Sequence, residues 1–141
     1  MLDRNRILAK IDELDGYLDE LDQIAPAKLK FKEYQEIEKK RSCERLLQLS
    51  IEAVIDICKL FVSGLRLGLP AEENDLFDKM RKKKLLSKEM TVTLREMKGF
   101  RNILVHEYAA VDDELVFKAI KTKLKDFRKF KKEILVVLPR G

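Results

Sequence analysis

The sequence is poor in the residues that break helices, bridge distant segments or bind metal ions. It contains three prolines, five glycines, two cysteines and one histidine. Proline and glycine interrupt helices, so their scarcity favours long helical segments. One histidine and two cysteines provide no His/Cys cluster of the kind that binds zinc, so we expect neither a metal site nor a bound cofactor.

Long apolar runs are also absent. No segment approaches the roughly 20 apolar residues that cross a bilayer, and residues 1–6 lack the apolar stretch of a signal peptide. Cys43 and Cys58 lie fifteen residues apart in one predicted helix. At about 1.5 Å per residue they are about 22 Å apart, which excludes a disulfide between them. These features predict a cytoplasmic protein without a membrane segment.

Apolar and charged residues dominate what is present. They make up 45% and 39% of the 141 residues, a mixture typical of helices with solvated outer faces. Apolar side chains recur every three or four residues, as in Ile7, Ile11, Leu14, Leu18 and Leu21. We therefore predict an all-α fold: a single domain, residues 1–141, forming an up-and-down antiparallel bundle of four to five helices. The last helix is expected to run through residues 115–127, followed by an apolar tail at 133–141.

The second predicted helix is the longest. It runs from about Ala27 to Ser63 without an internal proline or glycine, and Pro26 is expected in its first turn. Its second half carries apolar residues on two sides, so we place it at the centre of the bundle. Ser87 is the predicted N-cap of a later helix, and Asp112 or Asp113 that of the last one.

Charge is distributed unevenly along the chain. Residues 1–70 carry 12 basic and 13 acidic side chains, whereas residues 71–141 carry 18 basic and 12 acidic ones. The excess positive charge collects at 79–84 and again at 118–132. A basic half attracts polyanions and speeds their arrival. Lysine-rich faces are also common on ordinary solvated helices, so charge alone leaves both interpretations open.

Polar residues of chemical interest concentrate in one eight-residue segment of the basic half. The segment contains the only histidine, His106, preceded by Arg101 and Asn102 and followed by Tyr108. On a helical wheel Asn102 and His106 lie about 40° apart, and all four fit within about 160° of arc if the helix continues to Tyr108. The apolar residues between them fill the remaining arc and anchor this turn in the core.

These residue types suit cleavage of RNA by attack of its own 2′-hydroxyl on the neighbouring phosphorus. Arg101 provides a permanent cation with a planar fork of donors for phosphate. His106 can take or give a proton near neutral pH, while Asn102 and Tyr108 can hydrogen-bond and orient the reacting groups. The reaction needs both an acid and a base, and one chain has one imidazole. A twofold dimer that brings two copies of the segment together would supply the second.

The order and spacing of these residues resemble a known sequence motif. Arg101-Asn102-Ile103-Leu104-Val105-His106 resembles the Arg-x(4–6)-His signature of HEPN domains, and with Tyr108 it is similar to the Arg-x4-His-x-Tyr form of HepT-type toxins. Residues 97–100 before it, residues 44–52 in the long second helix and the loop at 68–70 are similar as well. The resemblance covers roughly residues 1–132.

That resemblance implies a fold, an activity and a partner. The fold is a helical bundle that forms a homodimer, with the motif in the cleft between protomers. The activity is that of a metal-independent endoribonuclease, the toxin of a toxin–antitoxin pair, with Arg101 and His106 catalytic and Asn102 in support. The partner is a small nucleotidyltransferase of the MNT type, an antitoxin that silences the toxin by attaching AMP to Tyr108.

Other interpretations stay open. Asn102 can serve only to brace the helix, and Tyr108 can be a buried ring with a bonded hydroxyl. Glu52 and Asp56 in the long helix could contact the motif or pair with a surface lysine, so neither is assigned to the site. The chain could also be a non-catalytic HEPN module that binds a nucleotide or the nucleotidyltransferase, or a helical adaptor that dimerises through its apolar tail.

Overall fold

A computed structural model describes residues 1–106 and 111–139. Within these residues the chain forms seven helices joined by turns, and no strand. The helices are α1 (Arg4–Ile24), α2 (Phe31–Tyr34), α3 (Ile37–Gly64), α4 (Glu73–Lys82), α5 (Lys88–His106), α6 (Asp113–Thr122) and α7 (Leu124–Val137). The predicted all-α fold is confirmed, although the helices are more numerous than the four to five expected.

The longest helix, α3, lies at the centre of the bundle, as predicted. Twelve of its 28 residues are buried, and they are spread over more than one side of the helix. The helices α1, α2, α4, α5 and α7 all pack against it. Burial of these apolar side chains is the main favourable contribution to folding, so the positions of the other helices follow from the need to cover α3.

The start of α3 differs from the prediction. Leu29 N donates to the carbonyl of Pro26 at 2.9 Å, so Pro26 begins a turn rather than the first turn of a helix. The short helix α2 follows, and α3 begins only at Ile37. The Glu36 carboxylate accepts hydrogen bonds from two backbone N–H groups in the first turn of α3 and caps it. Glutamate is not among the favoured cap residues, so the sequence carries no clear signal for this boundary.

The first helix packs one face against α3. Its buried residues are those with the predicted spacing: Ile7, Ile11, Leu14, Leu18 and Leu21. The Asp3 carboxylate accepts from Arg6 N at 3.1 Å and caps the helix. Periodicity alone therefore identified both the helix and the face that it buries.

The helices α4 and α5 form a hairpin beside α3. Each buries an apolar stripe: Leu76, Phe77 and Met80 on α4, and Met90, Leu94 and Met97 on α5. Ser87 caps α5 as predicted, because its hydroxyl oxygen accepts from Met90 N at 3.1 Å. Since the two helices run in opposite directions, the end of α5 lies beside the first turn of α4.

The last predicted helix is divided in two. Asp112 caps α6 by accepting hydrogen bonds from two backbone N–H groups, which decides between the two predicted caps. This helix ends at Thr122, and Lys123 follows as its C-cap, with its N donating to the carbonyl of Ala119 at 2.8 Å. The next helix, α7, continues to Val137, so the apolar tail ends a helix, and Leu138 is buried against the core.

Two predictions about cysteines and membranes can also be compared with the structure. Cys43 and Cys58 are both free and buried on α3, as their spacing requires. Burial raises the pKa of the Cys43 thiol to about 11, and burial raises the pKa of Cys58 as well. Within residues 1–106 and 111–139, no helix combines the length and the apolar character that a membrane span needs.

Candidate functional site

The motif residues lie at the C-terminal end of α5. This helix carries Arg101, Asn102 and His106, the last of which is its final residue. Of the three apolar residues expected to anchor this turn, Leu104 is buried, whereas Ile103 and Val105 are half-buried. Arg101 and Asn102 are also half-buried, and His106 is exposed. Tyr108 lies outside the described residues, so its predicted roles stay predictions.

Two acceptors hold the Arg101 side chain. Its Nη2 donates to a carboxylate oxygen of Glu73 at the start of α4, and its Nε donates to Oδ1 of Asn102 at 3.0 Å. The Arg101 side chain is 15% exposed and the Glu73 side chain 28%. A guanidinium has five N–H donors in a rigid fork. The described residues use two of them, which leaves the others for a ligand.

Glu73 cannot be identified as a site residue from the sequence. It lies 28 residues before Arg101, on a different helix, and no motif spacing connects them. An acidic residue in the first turn of a helix is favourable in any protein because of the helix dipole, so its position in α4 is no functional signal. Only the packing of α4 against α5 brings the two charges together.

Arg101 and His106 leave α5 in different directions. They are five residues apart, which separates them by about 140° around the helix axis. Asn102 lies about 40° from His106, and its side chain accepts from Arg101. Asn102 therefore lies between the arginine side and the histidine side of the helix, and its predicted supporting role stays a prediction. Within one chain, the Arg101 guanidinium and the His106 imidazole thus lie at the same end of α5 but point in different directions.

The outer face of α5 is not covered by other described residues. Lys88, Gly99, Asn102 and His106 lie within about 60° of arc, and each is exposed or half-buried. A Cβ atom at Gly99 would meet nothing within 4 Å. A glycine inside a helix costs roughly 0.5–1 kcal/mol relative to alanine, and packing within the described chain does not require one here. The backbone of α5 is therefore open to close approach by another molecule beside Asn102.

The two carboxylates left unassigned on α3 have partners elsewhere. Glu52 accepts from the side-chain amide of Gln48 at 3.0 Å, one turn away on the same helix. Asp56 lies 3.5 Å from Nζ of Lys10 on α1. In the part of the chain that the structure describes, neither contacts the motif. The surface-lysine interpretation of Asp56 is confirmed.

An apolar groove of about 370 Å³ lies along another side of α5. We define it by Met97 and Phe100 of α5, Leu115 of α6 and Phe127 of α7. Phe100 is half-buried against the core and Leu115 is 46% exposed. They face the groove because no other described segment covers this side of the bundle.

Comparison with known proteins connects the chain to one group of nucleases. Residues 7–134 match the family described as "Ribonuclease HepT-like". The chain is 31% identical over 129 residues to the tRNA nuclease HepT of Aphanizomenon flos-aquae, covering 91% of this chain and 86% of that protein. It is 32% identical over 84 residues to the mRNA nuclease HepT of Shewanella oneidensis, covering 60% of this chain and 63% of that protein. The second alignment thus spans less than two thirds of the Shewanella nuclease.

A solved structure shares the whole bundle. The tri-AMPylated HEPN toxin of Shewanella oneidensis, determined in complex with an MNT antitoxin, superposes with a TM-score of 0.84 at 28% identity. The superposition covers 96% of this chain and 99% of that one. The similarity therefore concerns the arrangement of the helices as a whole, and not the motif alone.

The Glu73–Arg101 ion pair provides a test of the site geometry. A double-mutant cycle with Glu73→Ala and Arg101→Ala should give a coupling free energy of about 0.5–1.5 kcal/mol, because both side chains are largely shielded from solvent. The Asp78–Arg95 pair joins the same two helices with side chains 35% and 46% exposed. Its coupling should be smaller, about 0.2–0.5 kcal/mol. Urea denaturation measures both, and equal couplings would contradict the placement of Arg101.

Proposed function

The chain belongs to the HepT-like ribonuclease family, and from this membership we propose that it is an endoribonuclease and the toxin of a toxin–antitoxin pair. The observation that carries the proposal is the way in which the Arg101 side chain is held. Glu73 and Asn102 hold its guanidinium while N–H groups remain for a phosphate, at the end of the helix where His106 is exposed. A prepared cation beside a proton-transfer group meets the needs of phosphodiester cleavage. The names of the relatives, a tRNA nuclease and an mRNA nuclease, support RNA as the substrate class.

The reaction we propose is metal-independent and uses the RNA's own nucleophile. The 2′-hydroxyl attacks the adjacent phosphorus, so that a 2′-O–P bond forms and the bond from phosphorus to the 5′-oxygen of the next nucleotide breaks. A neutral imidazole takes the proton of the 2′-hydroxyl, and a protonated imidazole gives one to the departing oxygen. The products are a 2′,3′-cyclic phosphate and a free 5′-hydroxyl. Arg101 stabilises the charge that develops on the phosphoryl oxygens, and Asn102 and Glu73 keep it in position.

The acid and the base require two imidazoles, whereas each chain has one histidine. We place the second imidazole on another copy of this chain, in a twofold homodimer that sets the two motifs across one cleft. The surface that we assign to the contact is the apolar groove, because it adjoins the motif helix and its exposed side chains would gain burial there. The outer face of α5 would then line the cleft.

The partner that we propose is a nucleotidyltransferase antitoxin of the MNT type. The Shewanella toxin was solved in complex with an MNT antitoxin, and it is AMPylated. In this chain the acceptor would be Tyr108, two residues after His106. Its phenolic oxygen would attack the α-phosphorus of ATP and pyrophosphate would leave. The attached AMP brings bulk and a negative charge to the motif, which would block the cleft and repel an RNA phosphate.

RNA cleavage by the purified protein in the presence of EDTA tests the catalytic roles. We expect the wild type to cleave and His106→Ala to lose about 10²–10⁴-fold in kcat. We expect Arg101→Lys to lose about 10²-fold, because lysine lacks the planar fork of donors. Lys98→Gln removes a cation one turn away on α5 and is the matched control, so it should retain most of the activity.

Each result of the EDTA experiment has a definite meaning. Cleavage by His106→Ala at the wild-type rate would contradict its role, and loss of wild-type activity in EDTA would contradict a metal-independent reaction. If the unmodified wild type cleaves no RNA but accepts AMP from the antitoxin, the non-catalytic HEPN module becomes the better interpretation.

Mixtures of wild-type and His106→Ala protomers test whether the site is shared between two chains. If one cleft needs both imidazoles, a mixed dimer is inactive, and activity after subunit exchange falls with the square of the wild-type fraction. A linear decrease would mean that each protomer acts alone. Analytical ultracentrifugation of every mixture shows whether the dimer content is equal.

Intact-mass analysis tests the proposed modification. After incubation with the nucleotidyltransferase and ATP, we expect the wild type to gain the mass of at least one AMP moiety and to lose RNA cleavage. Tyr108→Phe should remain unmodified at this position and stay active in the presence of the antitoxin. Tyr17→Phe, which removes a phenol from α1, is the control and should behave as the wild type. Unaltered AMP transfer to Tyr108→Phe would assign the acceptor elsewhere.

A further inference from the structure

A positively charged surface lies at the opposite end of α5 from His106. Arg81 near the end of α4, Lys84 in the following turn and Lys88 at the start of α5 line one groove of about 530 Å³. Glu133 and Val136 of α7 form its other wall. We call this surface the basic groove. The reaction proposed above uses none of its side chains.

Hydrogen bonds join the two walls of the basic groove. Glu133 accepts from the backbone N of Ser87 at 2.7 Å and from the Ser87 hydroxyl at 2.9 Å, one bond to each carboxylate oxygen. The turn between α4 and α5 is therefore fastened to α7. Among the described residues, Glu133 is the only carboxylate that lines the groove, and Ser87 engages it. Three described cations against this one carboxylate make the described lining net positive.

The cations of the basic groove have no acidic partner within residues 1–106 and 111–139. Every ion pair of these residues involves other cations. Nearby examples are Arg95, which pairs with Asp78, and Lys131, which pairs with Asp15. No described carboxylate neutralises these three cations in an ion pair, so they can attract an anion.

Two of the three cations occupy positions that are locally unfavourable for them. The end of α4 is a Schellman motif, in which Leu85 N donates to the carbonyl of Met80 and Lys84 N to that of Arg81. This places Lys84 at φ 59°, a left-handed conformation that glycine adopts without strain. Lys88 is the first residue of α5, where the helix dipole disfavours a positive charge. Local backbone or helix stability therefore does not account for a cation at either of these two positions.

The basic groove and His106 belong to the same side of α5. Lys88 and His106 are 18 residues apart, about five helical turns, so both lie on the outer face, separated by about 27 Å. At about 3.4 Å per stacked nucleotide, this distance corresponds to roughly eight nucleotides. A polyanionic strand that follows the outer face would reach both places.

We propose that the basic groove binds the phosphate backbone of the RNA substrate several nucleotides from the cleaved bond. This inference rests on the proposed ribonuclease function and adds to it a preference for RNA long enough to span the outer face of α5. Phosphate contacts provide affinity without reading the bases, so the groove should bind long RNA of any sequence.

A matched pair of charge-removing variants tests the proposal. Lys84→Gly/Lys88→Gln removes two cations from the basic groove, and Arg66→Gly/Lys59→Gln removes two from a different groove at the end of α3. Arg66 is the corresponding position, at φ 53° in the Schellman motif that ends α3. Both glycine substitutions relieve the same backbone conformation, so neither variant should melt below the wild type.

The expected effect is confined to one variant and one length of RNA. For a mixed-sequence RNA of about 20 nucleotides, Lys84→Gly/Lys88→Gln should raise KM roughly tenfold with kcat unchanged. The slope of log KM against log salt should fall by about 1.5, since each lost phosphate contact contributes about 0.7–0.9. A tetranucleotide is too short to reach the groove, so its KM and kcat should stay at the wild-type values. The control variant should match the wild type on both RNAs.

Several results would overturn the proposal. One is an equal rise of KM in the two variants, which would reflect net charge alone. Another is an unchanged KM in the basic-groove variant with weaker binding to the nucleotidyltransferase, which would assign the groove to a protein partner. If the wild type cleaves neither RNA, the ribonuclease function fails. Fluorescence anisotropy with the longer RNA then still decides whether the basic-groove variant binds more weakly than the control.

Discussion

The helix α3 carries apolar side chains around most of its circumference, and almost none of them can be left in water. One neighbouring helix cannot cover such a surface, so several helices have to surround it. Each of them contributes one apolar stripe and turns its remaining sides outward or toward a neighbour. The rotation of α5 is set in this way: Met90, Leu94 and Met97 face the core, and the motif residues one turn later take the directions that remain.

The directions in which the motif side chains leave α5 determine which groups they can contact. Arg101 points toward α4, where Glu73 meets it, while Asn102 and His106 lie on the outer face. The arginine is thereby fixed before any ligand arrives, which reduces the entropy lost when a phosphate binds. The histidine is exposed, and its chain contains no second imidazole. Because the proposed reaction needs two imidazoles, we assign the second one to another copy of the chain.

Periodicity and cap residues predicted a large part of the fold. The buried stripe of α1, the central position of α3 and the Ser87 and Asp112 caps all follow from residue types a few positions apart. The start of α3 and the division between α6 and α7 did not. The start of α3 depends on a glutamate acting as a cap, and glutamate is common inside helices. The division at Lys123 falls in a stretch without proline or glycine, so no residue type in the sequence marks it.

The sequence by itself determined the all-helical class and the apolar faces of α1, α3, α4 and α5. It also singled out Arg101, Asn102 and His106 as candidate site residues. These features depend on interactions within a few residues, where helical geometry fixes which side chains are neighbours. Only the tertiary structure decided that Glu73 binds Arg101 and that Glu133 fastens the basic turn to α7. These contacts join residues 28 and 46 positions apart. Their formation depends on how whole helices pack around α3, which local spacing does not specify.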